Sequence, residues 1–158
     1  MAEFVENALQ LVEPNQNIIL DTAIPCNKGY VYHRNQSGIV ILRGIVNCPT
    51  SCFARYQVEF NGNIALPDGA TVGPISVALA IDGEPIQTSK AIVTPAATAD
   101  DPPTANNFFN VTSTAIITVP KGCCFSVAVE NTSSPAAPGG VAPEILVQNS
   151  NLTVSRIS

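Results

Sequence analysis

Five cysteines are the residues of this chain whose type could support chemistry, because thiolates act as nucleophiles, metal ligands and disulfide partners. They are Cys26, Cys48, Cys52, Cys123 and Cys124. If successive strands alternate in direction, Cys48 and Cys52 flank a turn at the end of the fold where Cys123 begins another strand. The sequence therefore predicts a possible disulfide or thiol cluster of Cys48, Cys52, Cys123 and Cys124.

Three alternatives are open for this cluster. Free thiols suit a cytosolic protein, in which cysteine packs as a small apolar residue. A disulfide would join Cys48 or Cys52 to Cys123 or Cys124 once the protein reaches an oxidising environment. Zinc is a third alternative, but the spacing lacks the two Cys-x-x-Cys pairs of a structural zinc site, so we assign no metal ligand.

Other catalytic groups are scarce. His33 is the only histidine and ends the predicted hairpin strand Tyr30 to His33, where we expect a partly exposed strand residue. No nucleophile motif in the sequence completes a triad with it. Asp100 and Asp101 are followed by two prolines and lack the alternating ligand spacing of a calcium loop. We therefore expect no catalytic residue, no cofactor and no enzymatic activity.

The composition narrows the classes of partner. Charged residues make up 12% of the 158 residues, against about 25% in typical soluble domains, which suits a surface partly covered by other subunits. The net charge of −5 argues against a nucleic-acid partner. No apolar run approaches the roughly 18 residues of a membrane span, so we expect no membrane partner. The acidic opening, Met1 to Asn7, predicts synthesis and folding in a cytosol.

Alternating apolar and polar residues recur along most of the chain and predict an all-β sandwich or barrel, because a period of two gives each strand one buried face. Residues 1–13 are either an N-terminal docking segment or a first strand, with a short helical stripe also compatible. Residues 14–158 form a single β domain. Strands are predicted at 17–21, 30–33, 38–46, 53–61, 74–82, 85–94, 107–119, 123–131 and 144–157.

The turns between these strands differ in length. Asp82-Gly83 is a tight hairpin signal, and Pro120 to Cys123 is nearly as short. The connections at 62–73, 95–106 and 132–143 are long. With alternating strands, the long loops share one end of the sandwich and the tight turns share the other, which is typical of a module with a docking end and an exposed end.

Three stretches resemble the C1q/TNF-like jelly roll found at the heads of bacterial collagen-like spore-surface proteins. They are Ile81 to Ile86 with Ile92 to Pro95, Phe109 to Val111 with Ile117 to Gly122, and Leu152 to Ile157. The resemblance implies a jelly-roll β-sandwich of about ten strands that assembles as a homotrimer. Around a threefold axis, we expect trimer contacts at Phe108, Ile116, Arg55 and Gln57.

The short, collagen-free chain also resembles virion decoration proteins of phages and prophages of Clostridia-type gut bacteria, through residues 25–30 and 122–125. This resemblance implies a homotrimer bound to the outside of a phage capsid. Its partner would be the major capsid protein or another virion shell protein, and its location the capsid surface after synthesis in the bacterial cytoplasm. We expect docking through Phe4, Val5 and Leu9.

The alternative function is a trimeric, surface-displayed binding module for a host-surface glycan or a mucin-like polymer. The three long loops would hold the ligand, and trimeric display would make weak sites useful through avidity. These loops contain no tryptophan and no tyrosine. Because sugar sites usually use aromatic side chains as platforms, this composition favours the decoration hypothesis.

Overall fold

The computed structural model describes residues 1–24 and 29–158, so Cys26 and the rest of the 25–28 segment lie outside the described residues. The described part contains twelve strands and two short 3-10 turns, at Gln87–Ser89 and Ala105–Asn107. The strands are β1 (Ala2–Glu6), β2 (Gln10–Val12), β3 (Thr22–Ile24), β4 (Val31–Arg34), β5 (Ile39–Arg43), β6 (Phe53–Ala65), β7 (Ile75–Ile81), β8 (Glu84–Pro85), β9 (Ala91–Val93), β10 (Phe109–Pro120), β11 (Cys124–Asn131) and β12 (Ile145–Arg156).

The strands form two antiparallel sheets. The first sheet has the order β10-β6-β12-β1-β3, with β2 also paired to β12. The second has the order β4-β5-β11-β7-β8, with β9 also paired to β7. The first strand of the chain thus lies beside the last, because β1 pairs with β12 from Ala2 opposite Val154 to Glu6 opposite Ser150. The predicted all-β sandwich is confirmed.

Burial follows the alternation in sequence. In β6, Ala54, Tyr56, Val58 and Phe60 are buried, while the residues between them are exposed or half-buried. Full burial of a large apolar side chain stabilises a fold by roughly 1.5–3 kcal/mol, so these inward faces supply much of the driving force. The largest fully buried side chains are Tyr56, Phe60, Ile18, Leu20, Leu42, Ile64, Leu66, Ile75, Leu79, Ile117, Ile145 and Leu152.

Two predicted strands differ from the structure. Residues 17–21 contain only an isolated bridge from Asn17 to Glu130. The predicted strand at 85–94 is divided into β8 and β9 by the turn at Gln87–Ser89. The Ser89 hydroxyl donates to the Ile86 carbonyl at 2.8 Å and accepts the Leu79 amide at 3.0 Å, so a side chain replaces strand pairing locally.

The two ends of the sandwich are built differently. The compact end holds the 44–52 loop and the turns at 82–83 and 121–123. Asp82 and Gly83 have φ angles of 52° and 83°, which confirms the predicted Asp-Gly hairpin. The loop end holds the long connections at 66–74, 94–108 and 132–144. Within the described ranges, no helix is long and apolar enough to cross a membrane.

Candidate functional site

The outward side of β10, β6 and β12 forms a broad polar surface. We call its side chains the assembly face, and they are Thr112, Thr114, Ile116, Thr118, Arg55, Gln57, Glu59, Asn61, Asn151, Thr153 and Ser155. They are exposed or half-buried, while their strand neighbours point into the core. The strand register aligns them in rows, such as Thr114 opposite Glu59 and Glu59 opposite Thr153. Arg55 and Glu59 are the charged members of this face.

Three of the four predicted trimer contacts lie on the assembly face. Ile116 is 66% exposed and lies directly opposite Gln57 in the strand register. Arg55 is opposite Thr118, and its guanidinium stacks 4.9 Å from the ring centroid of Phe53. The structure therefore brings Arg55, Gln57 and Ile116 together on two neighbouring strands. Their role as trimer contacts stays a prediction.

Phe108, the fourth predicted contact, is placed differently. It is half-buried and packs against a small cluster of Ala65, Ala99 and Leu146. The 94–108 loop is held there by a hydrogen bond from the Ala99 amide to the Leu66 carbonyl at 2.8 Å. Phe108 thus serves first to anchor a loop of its own chain, and Phe109 is the more exposed of the two phenylalanines.

An amide network borders the assembly face and was not foreseen from the sequence. The Asn110 side-chain nitrogen donates to the side-chain oxygens of Asn61 at 2.8 Å and Asn63 at 3.0 Å. Asparagines at alternate positions of one strand were the available signal, since they must share a face. The network fixes the rotamers of these three polar side chains.

The N-terminal segment is built into the first sheet. Phe4 is 3% exposed, and its ring stacks on His33 with centroids 4.9 Å apart. The predicted docking contact at Phe4 is wrong, because a strand residue facing the core is not available to a partner. Val5 is half-buried opposite Asn151, beside the assembly face, and Leu9 is exposed between β1 and β2.

The four described cysteines are exposed and free. Their two loops adjoin, since the Lys121 amide donates to the Cys52 carbonyl and the Gly44 amide to the Cys123 carbonyl, both at 2.8 Å. Nevertheless, the described residues include no group of three or more His, Cys, Asp or Glu side chains that could hold a metal ion. The hydrogen bond between the Cys48 thiol and the Thr50 hydroxyl, at 3.0 Å, lowers the pKa of that thiol.

His33 and the acidic pair are placed apart from one another. Both ring nitrogens of His33 are buried and lack a hydrogen-bond partner among the described residues. Asp100 accepts a hydrogen bond from the Thr104 hydroxyl at 3.0 Å, in the exposed 94–108 loop. His33 thus lies against the core and Asp100 at the loop end.

A cleft of about 360 Å³ separates two of the long loops at the loop end. Small apolar residues dominate its lining, including Ala70, Pro74, Ala136 and Val141, and no aromatic side chain lines it. The loops approach closely here, because a Cβ on Gly73 would lie 2.8 Å from that of Ala136. A lining of methyl groups offers few hydrogen bonds to a polar ligand.

Solved structures share this architecture. The globular domain of zebrafish complement 1qA protein matches with a TM-score of 0.50 and 11% identity, over 96% of this chain and 94% of that chain. The Eiger TNF of S. frugiperda matches with a TM-score of 0.54 and 13% identity, over 100% of this chain and 92% of that chain. The chain is therefore an all-β jelly roll of the C1q/TNF type.

The remaining comparisons do not assign the chain to a protein family. The C-terminal domain of EclA, a sugar-binding protein, matches with a TM-score of 0.41 and 15% identity, over 95% of this chain and 79% of that chain. That similarity is too low to carry an argument about function. No protein-family model matches the chain. No curated protein matches it either.

Proposed function

We propose that this jelly roll is a structural protein that assembles as a homotrimer through the assembly face and decorates the outside of a phage capsid. The observation that carries the proposal is Ile116, an isoleucine 66% exposed on a central stretch of β10. Its nearest neighbours on that face are Thr114, Thr118 and Gln57, with Arg55 and Glu59 diagonally across on β6. The C1q/TNF type of fold supports the same arrangement.

The chemistry of the assembly face favours self-association. Uncharged amides and hydroxyls lose less free energy than charges when they leave water, provided that they find hydrogen-bond partners. Interface cores are likewise depleted of charged residues. Thr112, Thr114, Thr118 and Gln57 can donate and accept hydrogen bonds across such an interface. A second and a third copy of the chain would present the same donors and acceptors, so they are the partners that we propose for this face.

A substitution of Ile116 tests the trimer. Near a threefold axis, each copy of Ile116 approaches its symmetry mates, so Ile116→Asp would bring three carboxylates together. We expect the wild type to be a trimer and I116D to be a folded monomer in native mass spectrometry.

The matched control is Ile92→Asp. Ile92 is 61% exposed on β9 of the second sheet, so the substitution has the same chemistry outside the assembly face. I92D should remain trimeric. A monomeric wild type in solution, or equal dissociation of the two variants, would contradict assembly through this face.

Capsid binding is the second part of the proposal. The major capsid protein or another virion shell protein would be the partner, and the compact end would face the shell. A protein that binds only the assembled shell stabilises it by mass action. Binding lowers the free energy of the shell and leaves that of the dissociated subunits unchanged. The chain would be made in the bacterial cytoplasm and reside on the virion surface.

Co-sedimentation with purified capsids tests this part. We expect the trimer to sediment with mature shells and to raise the temperature at which they release DNA. I116D, if monomeric, should bind more weakly through lost avidity. Absence of binding both to mature shells and to isolated capsid subunits would sink the capsid role while leaving the trimer intact.

The alternative, a glycan-binding module that uses the long loops, stays a second prediction. The methyl-rich lining of the loop-end cleft does not favour it, since sugars are bound by hydrogen bonds and aromatic platforms. A glycan array probed with the wild-type protein tests it. Binding that is lost when Val141 in the cleft is changed to Asp would support the alternative over the capsid role.

A further inference from the structure

A second cleft, of about 460 Å³, opens at the compact end. Its lining combines aromatic, amide and guanidinium groups, which the loop-end cleft lacks. The residues that matter are Tyr30, Asn47, Phe53 and Arg156, drawn from β12, from the start of β6 and from the segments before β4 and after β5. We call this the compact-end cleft. Its volume lies in the range of roughly 300–1,000 Å³ that is usual for binding pockets.

Arg156 is held in a fixed orientation in this cleft. Its guanidinium stacks 4.2 Å from the ring centroid of Tyr30, and its Nε donates to the main-chain oxygen of Ser158 at 3.0 Å. The Tyr30 hydroxyl donates in turn to the Asn47 side-chain oxygen at 3.1 Å. Because rotamer freedom is already lost, little more would be lost when a ligand binds.

The hydrogen-bonding capacity of Arg156 is not filled. Its Nη1 is buried and has no hydrogen-bond partner among the described residues. An unsatisfied buried donor on a charged group is costly, and a carboxylate is the acceptor that a planar guanidinium binds best. No side chain among the described residues of the lining is acidic, so the acceptor that Arg156 already has there is the oxygen of Ser158, the last residue of the sequence, on Nε.

Further positively charged residues surround the cleft that holds Arg156. Arg43, Arg55 and Lys121 also lie at the compact end, although the chain as a whole carries −5. The acidic residues of this end, Asp82 and Glu84, lie at the opposite edge of the second sheet from β4. The compact end is therefore locally basic, and a partner segment there would be acidic.

The rim of the cleft indicates a protein partner. Met1, Phe53 and Ile157 are large apolar residues that remain exposed around it. Methionine, aromatic residues and arginine are the types enriched at protein interfaces. A free hydrophilic metabolite would leave these apolar side chains in water, whereas a peptide with apolar residues would cover them.

We propose that the compact-end cleft is the docking site for an acidic segment of a partner protein. A carboxylate of that segment binds Arg156, and an apolar residue beside it packs on Phe53 and Ile157. This inference rests on the proposed docking of the compact end and adds the chemistry of the partner. The cleft is present in the isolated protein, so binding of an acidic segment can be tested without a capsid.

The test is selection from a displayed library of random hexapeptides against the wild-type protein. We expect enriched peptides to carry Asp or Glu next to an apolar residue. A synthetic enriched peptide, with a matched copy that has Asn or Gln in place of the acidic residue, is then titrated by fluorescence polarisation. The amidated copy should bind about tenfold to a hundredfold more weakly, as expected for loss of a charged hydrogen bond.

Variants of the protein locate the site. Arg156→Gln should weaken the acidic peptide by a similar factor, and Arg156→Lys should recover part of the loss, because lysine keeps the charge without the planar fork. Asn47→Asp keeps an acceptor for Tyr30 but adds a repelling charge, so it should weaken binding without removing the stacked arginine. Arg34→Gln, an equal charge change on exposed Arg34 of β4, is the control and should bind as the wild type does.

The results of the peptide selection and of the variants test the compact-end cleft independently of the capsid role. Enriched peptides without acidic residues, or an equal response of the Arg156 and Arg34 variants, would overturn the inference. A selection that enriches no peptide would also overturn the inference. If the protein binds acidic peptides but no capsid, the cleft is retained as a docking site and the capsid is rejected as the partner. If it binds capsids equally well with R156Q, the capsid role is retained and the cleft is rejected as the docking site.

Discussion

The compact end and the loop end close the same sandwich by different means. At the compact end, amides of Gly44 and Gly122 donate to carbonyls across adjoining turns at 2.8 and 3.0 Å. At the loop end, two loops leave a methyl-lined cleft of about 360 Å³. Backbone bonds between tight turns tolerate little change, whereas exposed loops tolerate substitution and insertion. Rigidity is therefore concentrated at the compact end and variability at the loop end.

The largest expected effect is at Gly44. A Cβ added there would lie 1.9 Å from the Pro120 carbonyl oxygen, so the backbone of the two turns would have to separate. We expect Gly44→Ala to lower the free energy of unfolding by about 3 kcal/mol, measured by urea denaturation.

The control for Gly44 is Gly139→Ala at the loop end. A Cβ on Gly139 would meet no atom within 4 Å, but its φ of +78° strains an alanine by about 1 kcal/mol. Equal losses of stability in the two variants would contradict a stiffer compact end.

A smaller effect is expected at Asn131, the exception that stiffens the loop end. This side chain is fully buried and donates to the carbonyls of Val12 and Pro143, each at 3.0 Å. Its oxygen accepts the Ser133 amide at 3.0 Å. Asn131→Ala should cost about 2 kcal/mol in the same measurement, because these backbone groups lose their partner. Exposed Asn106→Ala should stay within about 0.5 kcal/mol of the wild type.

The smallest effect depends on pH. Burial, with a contribution from nearby Glu84, raises the pKa of Glu130 above its ordinary value of 4.5. A raised carboxyl pKa means that the folded state binds the proton more tightly, so stability is greatest below 4.5 and falls as the pH rises through the folded pKa. Glu130→Gln should therefore raise the melting temperature more at neutral pH than at a pH below 4.5.

Exposed Glu144→Gln is the control for Glu130, since it removes the same charge from the loop end. Its melting temperature should follow that of the wild type at both pH values. A Glu130→Gln variant with the same offset at acidic and neutral pH would contradict a titration at this site.

The features that the sequence predicted well depend on local pattern. Period-two alternation determines the face on which a side chain lies, so Arg55, Gln57 and Ile116 fall on one surface whatever the tertiary contacts. The Asp82-Gly83 turn likewise follows from backbone conformations that few residues adopt. Both can be inferred without knowing which strands pair.

The features that it missed depend on long-range pairing. The apolar residues of the N-terminal segment suit a helical stripe and a strand equally, and only pairing with β12 determines that Phe4 faces the core. The stacking of Arg156 on Tyr30 joins residues from opposite parts of the chain. No periodicity in either segment indicates that contact, so the compact-end cleft could not be predicted.

The pairing of β1 with β12 also governs when the protein can fold. β12 lies at the centre of the first sheet, between β6 and β1, and is the last of these twelve strands to leave the ribosome. Until it emerges, β1 and β6 expose unpaired backbone edges, and closure of so long a chain segment makes sheet formation slow. Nascent chains stalled before residue 145 should therefore need a chaperone, and release of β12 should be the event that commits the molecule to its native state.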